Sequence, residues 1–329
     1  MNLLAILQSE LTQFGNALPG ILSQGLIWGV MAIGVYITYK ILDFPDLTVD
    51  GSIGTGGAVA LMLILNGVPV WIALIAAFLA GALAGLVTGL LNTLLGIPGI
   101  LAGILTQIAL YSVNLAILGG ANKSISVDKF PLLLSSRRVA VSGGFAVFGW
   151  EVGKCVIIVA LLIAALYWFF GTEYGFTIRA TGCNSNMARA QGINTKKSTV
   201  IALVLSNGLV GLSGGLLAQY QGFADVNMGR GAIVIGLAAV IIGEVLGAAI
   251  LSKRFNFVAR LSFTAVGAII YYLVLQIVML FGLDSTYNKL FSAVVVVIFL
   301  AVPYVKDASR NSYGRAAKNS AKKGASEDA

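Results

Sequence analysis

Few side chains in this sequence could do chemistry. It contains no histidine, and Cys155 and Cys183 are its only thiols. One opens an apolar run and the other sits in a polar loop, so they read as unpaired. There is no His/Cys cluster for a metal and no imidazole for acid–base or triad work. No phosphate-cradling G-x-x-x-x-G-K-[ST] loop occurs either: Gly54-Thr55-Gly56-Gly57 lacks the lysine. The polar side chains that interrupt apolar runs are Gln24, Asn92, Gln107, Asn114, Asn207, Gln219, Glu244 and Gln276. Amides in such positions commonly bond to neighbouring helices, and Gln107, Asn114, Asn207 and Glu244 are also the candidates to line a pore. Glu244 is the one carboxylate read inside a span, where a charge is either functional or paired; Lys253 and Arg254 are near enough in sequence to pair it. Asp43, Asp46 and Asp50 form an acidic stretch, either a solvated loop or the anchor of a broken helix at a gate. These residue types suit moving a solute through a membrane better than making or breaking bonds.

The elements that must position them are apolar. The chain is 58% hydrophobic and 10% charged, whereas a soluble domain carries about 25% charged residues, so its surface has to face lipid. Its 40 glycines suit close helix packing in a bilayer. Apolar runs recur from Leu18 to Tyr304, which does not fit a secretory leader ahead of a soluble domain. A hydrocarbon core of about 30 Å needs roughly 20 apolar residues per helix. That places spans at residues 19–39, 52–66, 70–95, 98–118, 152–172, 198–219, 230–251, 258–281 and 287–305. The fold class is an all-α polytopic membrane protein with about 8–10 transmembrane helices. Residues 1–18 read as an interfacial amphipathic helix, with Leu3, Leu4, Leu7, Leu11 and Phe14 at helical spacing. Residues 19–305 form the transmembrane domain, and 306–329 a basic, disordered tail.

Basic residues orient the spans. Arg179, Arg189, Lys196 and Lys197 crowd one loop, Lys253, Arg254 and Arg260 mark another, and Lys306 to Lys323 charge the tail. All three fall on one side, which is therefore cytoplasmic and puts the N-terminus outside. The net charge of +8 is accounted for by this topology and needs no nucleic acid. The long outer loop 119–151 carries Lys123, Lys129, Arg137 and Arg138 against this trend, and its apolar centre suggests a half-helix or external cap. A possible inverted repeat is also visible. Asp50-x-x-x-Gly54-x-Gly56 and Asp225-x-x-x-Gly229-x-Gly231 each follow an apolar span and open another, from opposite sides. In that reading Asp50 and Asp225 are equivalent hinges.

The most informative segment is the polar loop 173–197. Asn184 or Ser185 can cap a short helix, Met187-Ala188-Arg189-Ala190-Gln191 can propagate it, and Gly192 can end it in a left-handed cap. So short a helix needs a partner surface to hold it. The run R-A-T-G-C-N-S-N-M-A-R-A-Q-G-I-N (179–194), with the following span and its Ser213-Gly214-Gly215, resembles the cytoplasmic loop of the branched-chain amino acid/ribose class of ABC importer permeases. The stretch 42–52, ending T-V-D-G-S, resembles the tryptophan/tyrosine-type subgroup.

The resemblance covers residues 20–305 and implies a membrane-spanning permease subunit that is not an enzyme. It implies a coupling helix at about 184–192 that docks on a cytoplasmic ATPase, involving Arg179, Gly182, Asn184, Met187, Ala188, Arg189 and Gly192. Cys183 stands where relatives more often carry an acid. ATP and Mg would bind in that partner ATPase, with no cofactor on this chain. A second permease copy and an extracellular solute-binding lipoprotein are the other implied partners, and an aromatic amino acid is the implied solute. Gly54, Gly56, Gly229 and Gly231 would permit close packing or bending beside the hinges. A secondary transporter or channel with inverted repeats is the alternative, but it needs a coupling-ion site for which the spans offer only Glu244.

Overall fold

The computed structural model describes residues 3–126, 129–130, 132–135, 145–251, 256–280 and nine helical positions between 290 and 301. Expectations for Arg137, Arg138, Lys253 and Arg254, for parts of the span at 287–305 and for the tail lie outside the described residues. Helix α1 (Leu3–Tyr36) continues as a π-helical turn over Ile37–Ile41. It is followed by α2 (Val49–Leu65), α3 (Val70–Thr93) and α4 (Gly99–Leu118). Strand β1 (Asn122–Ser124) precedes α5 (Phe145–Phe170), α6 (Glu173–Cys183) and α7 (Ser185–Ala190). Helix α8 (Thr195–Gln221), strand β2 (Phe223–Asp225), α9 (Ala232–Leu251) and α10 (Phe257–Leu280) complete the order. Among the described residues seven helices are long and apolar enough to cross a membrane, and α2 is a shorter apolar helix.

The chain is thus an all-α polytopic membrane protein, and most spans fall within a few residues of their expected limits. Residues 3–18 are helical and run into the first span without a break, with Pro19 inside the helix. In loop 119–151 the sequence suggested a half-helix or cap; the structure has a two-stranded antiparallel ladder there, Asn122 opposite Asp225, and a strap whose Leu132 and Leu134 are buried. Both thiols are free, Cys155 buried and Cys183 exposed.

Helix α8 is the axis of the bundle. Its hydroxyls stitch it to α1, Ser206 donating to the Gly34 carbonyl and Ser213 to that of Ile27, each at 2.7 Å. Glycines let α2 and α3 approach it backbone to backbone: Gly56 and Gly81 both lie against Gly211, and Gly214 lies against the Ile53 carbonyl. Without water to expel, small residues and such polar contacts are what hold helices together in lipid. Helices α3, α4 and α5 turn Ile75, Leu83, Ile108 and Leu161 outward. Exposed Trp71 and Trp150 stand at one level, and Tyr167 and Trp168 at the other, the belt expected at the two membrane–water boundaries.

A Cβ on Gly211 would meet the Ala77 carbonyl and the Gly81 Cα, whereas one on Gly153 meets nothing within 4 Å. Gly211→Val should therefore destabilise the detergent-solubilised protein by about 1–3 kcal/mol or more. Gly153→Ala should leave the melting temperature unchanged or higher, as followed by size-exclusion chromatography after heating.

Candidate functional site

Two helices begin inside the bundle rather than at its faces. Helices α2 and α4 run side by side in the same direction: Phe44 lies on Gly99, Leu47 on Gly103, and Gly51 on Gln107 and Leu110. Gln107 is the ninth residue of α4, so at 1.5 Å per residue Asp50 sits about 12 Å along from the α4 start. Helix α9 begins at the same depth, because its first turn meets Asp50. The Gly231 amide donates to Asp50 Oδ2 and the Ile233 amide to Oδ1, both at 2.9 Å. Asp50 is therefore the N-cap of a helix 180 residues further along, accepting from amides that have no partner within that helix. Gly231 (φ +85°) makes the left-handed turn that aims them, and Gly229 packs on the Asp50 carbonyl.

The two D-x-x-x-G-x-G segments thus interlock, but their aspartates are not used alike. Asp225 accepts from the Asn227 amide at 2.6 Å in a local turn beside the β-ladder. Gly54, on the first segment, faces Asn114 and the Val226 carbonyl of the second. The Asn114 side chain is buried, and its Oδ1 has no partner among the described residues.

The π turn at 37–41 delivers the chain to this level. Asp43, in the left-handed region at φ 57°, is exposed, but Asp46 is only 3% exposed. Its carboxylate is fully engaged: the Thr48 amide donates to Oδ1 at 2.9 Å, and Asn207 Nδ2 donates to Oδ2 at 2.7 Å. Asn207 gives its other amide hydrogen to the Leu203 carbonyl and accepts from the Ser52 hydroxyl at 2.7 Å. A chain of hydroxyls continues to α3 and α4, with Thr48 and Thr88 2.7 Å apart and Thr88 2.9 Å from Thr106. Each hydroxyl has one proton, and Thr106 spends its own on the Ala102 carbonyl. The consistent direction is Thr48 to Thr88 to Thr106. Asp46 and Asp50 therefore anchor a broken helix, the second of the readings the sequence left open.

Glu244 is not the one carboxylate within the bundle, as the sequence suggested; Asp46, Asp50 and Glu151 are there too. Glu244 bonds Lys40 at 2.7 Å and lies 3.9 Å from Arg260, so it is paired at the basic end of α9. Glu151, buried, pairs with Lys154 at 2.8 Å, and Lys154 also donates to the Leu133 carbonyl at 2.7 Å. Gln219 accepts from the Leu133 amide, so α5 and α8 together pin the outer strap. Gln107 is half-buried beside Gly51.

On the basic face, the loop contains more helix than expected: α6 precedes the short α7. Asn184 caps α7, accepting from the Asn186 and Met187 amides at 3.1 and 3.0 Å, and Gly192 (φ +83°) follows its end. Asn194 caps α8 through the Lys197 amide at 3.1 Å. Met187 is 61% exposed and Ala188 3%, so Ala188 seats α7 on the bundle while Met187 faces away; Arg189, also exposed, lines an open cleft with the α3–α4 turn and the start of α8. Arg179 is turned inward, its guanidinium 4.5 Å from the Phe257 ring and 5.4 Å from that of Phe170. Gly182 packs directly on the Ile41 carbonyl, so the basic loop touches the π turn that leads to Asp46. Side-chain spacing could not reveal that contact, because a glycine is its only mark in the sequence.

Removing Asn207 should strand the buried Asp46 charge. Asn207→Leu is expected to destabilise the protein by roughly 3–5 kcal/mol, while Asp46→Leu combined with Asn207→Leu costs much less than the sum of the single changes. A double-mutant cycle on thermal unfolding in detergent measures this.

The branched-chain amino acid transport system / permease component family matches residues 17–302. A tyrosine transport system permease protein of Clostridioides difficile (strain R20291) is 39% identical over 289 residues, covering 87% of this chain and 91% of that one. An uncharacterized protein of Rickettsia prowazekii (strain Madrid E) is 34% identical over 286 residues, 87% of this chain and 97% of its own. The ribose import permease protein RbsC of Escherichia coli (strain K12) is 25% identical over 287 residues, 87% of this chain and 85% of that one. With a family match spanning nearly the whole bundle, the chain belongs to the branched-chain amino acid transport system permease family, as a multi-pass membrane permease component and not an enzyme.

Proposed function

We propose that this chain is the transmembrane subunit of an ATP-driven importer for a small organic solute, most simply an aromatic amino acid. The observation that carries the reading is the continuous path from the basic loop to the buried site. Helix α7 leaves Met187 and Arg189 exposed, and its neighbour α6 rests through Gly182 on Ile41. Ile41 ends the π turn that leads to Asp46 and the cap of α9. A rigid element clamped by a partner that closes on ATP can push along that path. The partner's unequal affinity for two permease conformations then drives the change between them.

In this reading ATP and Mg bind in a separate cytoplasmic ATPase. Two ATPase subunits need two docking loops, so a second copy of the permease completes the assembly. An extracellular solute-binding lipoprotein delivers the solute to the outer face around the β-ladder and the 132–135 strap. Residues 1–18 lie at the membrane interface, and 306–329 form a basic cytoplasmic tail. The tyrosine permease among the relatives and the resemblance of residues 42–52 support the aromatic solute.

Co-expression with the genomic neighbours tests this. A partner ATPase should copurify with wild type and show solute-stimulated hydrolysis. Arg189→Glu and Met187→Asp, both on exposed positions, should lower copurification and stimulation about tenfold or more without changing the permease melting temperature. Retained transport in liposomes with no associated ATPase would favour a secondary transporter.

A further inference from the structure

Beside the Asp46 network lies a cavity of about 230 Å³. Its walls are the two places where helices break inside the bundle: the π turn and following segment (Tyr39, Phe44, Leu47) and the first turns of α9 (Ile233, Leu237), with Ile100 at its rim. Irregular backbone at membrane depth is tolerated where it is buried in protein or lines a cavity, and transporter sites form at discontinuous helices. Lys40, paired with Glu244 at 2.7 Å, holds its ammonium 5.8 Å from the Tyr39 ring, so a charged pair borders the cavity wall at that residue.

The side chains of the wall are mainly apolar and aromatic, and its buried side-chain polar groups, Thr38 and Asp46, are already occupied. The Thr38 hydroxyl donates to the Val35 carbonyl at 3.1 Å, and both Asp46 oxygens are taken by Thr48 and Asn207. The half-exposed Tyr39 phenol is the one side-chain group on the wall that makes no hydrogen bond among the described residues. A sugar entering here would find few side-chain partners for its hydroxyls, and each one left unpaired costs about 1–3 kcal/mol. A single aromatic or branched apolar side chain fits the volume and gains from burial against Tyr39 and Phe44.

We propose that this cavity holds the aromatic or apolar side chain of an amino acid in transit, and that its walls reject polyols at the permease itself. The inference rests on the importer reading above and adds selection by this chain to whatever the binding protein selects.

The test uses proteoliposomes carrying the whole co-expressed assembly, with labelled tyrosine and labelled ribose as probes. Leu237→Trp fills the cavity and Ile100→Trp narrows its rim. Both should keep ATPase copurification and lower tyrosine uptake about tenfold. In a Cys155→Ala, Cys183→Ser background, maleimide labelling of a Phe44→Cys variant should be slowed by tyrosine and not by ribose. Tyrosine uptake within about twofold of wild type in both tryptophan variants, with labelling indifferent to tyrosine, overturns the cavity and leaves the importer reading intact. Labelling blocked without any solute, by a lipid chain or a second copy, also overturns it. If wild type takes up ribose and no aromatic amino acid, the substrate reading falls together with this one. If no ATPase associates, the importer reading itself fails.

Discussion

A helix start leaves its first amides without partners in the helix, and the centre of this bundle depends on two aspartates that meet that need at chain breaks. Asp50 accepts from the first amides of α9. Asp46, four residues earlier, accepts from the amide that opens the approach to α2 and from Asn207 on the central helix. Among the described residues neither charge is matched by a cation; each is balanced by aimed N–H dipoles, and hydrogen bonds to charged groups are among the stronger ones a protein makes. The glycines around them follow from the same constraint. Gly229 and Gly231 bring the second broken segment onto Asp50, and Gly103 lets the first lie against α4.

These anchors join parts of the chain far apart in sequence. Asp50 ties α2 to α9, Asn207 ties the 42–48 segment to α8, and the threonine chain reaches α3 and α4. Gly182 on Ile41 brings the basic loop into the same assembly, while Arg179, held between Phe170 and Phe257, ties α6 to α5 and α10. A force applied at α7 therefore has rigid elements to travel through. The irregular connectors on the route are the π turn, a distortion common at functional positions, and the 42–48 segment that follows it.

The spans were legible because roughly 20 apolar residues are a physical requirement of the bilayer. The caps of α7 were legible because Asn184 and Gly192 act on their own neighbours. What the sequence hid was long-range. Asp46 looks like a loop residue until its partner at position 207 is known, and Thr48, Thr88 and Thr106 look like ordinary helical threonines. Asp50 and Asp225 match in pattern but differ in partner, since pattern records spacing and not what an amide 180 residues away requires. The short β-ladder escaped notice because three-residue strands carry no periodicity.

The strength of the Asp50 cap bears on how such a bundle can move. Two hydrogen bonds to a carboxylate contribute about 3–6 kcal/mol net. Moving a two-state equilibrium from 1:99 to 99:1 takes about 5.5 kcal/mol. A rearrangement that uncapped α9 would cost about as much as a full switch, so the capped arrangement holds without a partner. The Asp46 site is more costly to open, because its carboxylate is only 3% exposed and would lose the Thr48 and Asn207 hydrogen bonds together. Asp46 therefore behaves as a fixed anchor. Of the two anchors, the junction between α2 and α9, with Gly229 and Gly231 beside it, is the less deeply buried and costs less to open.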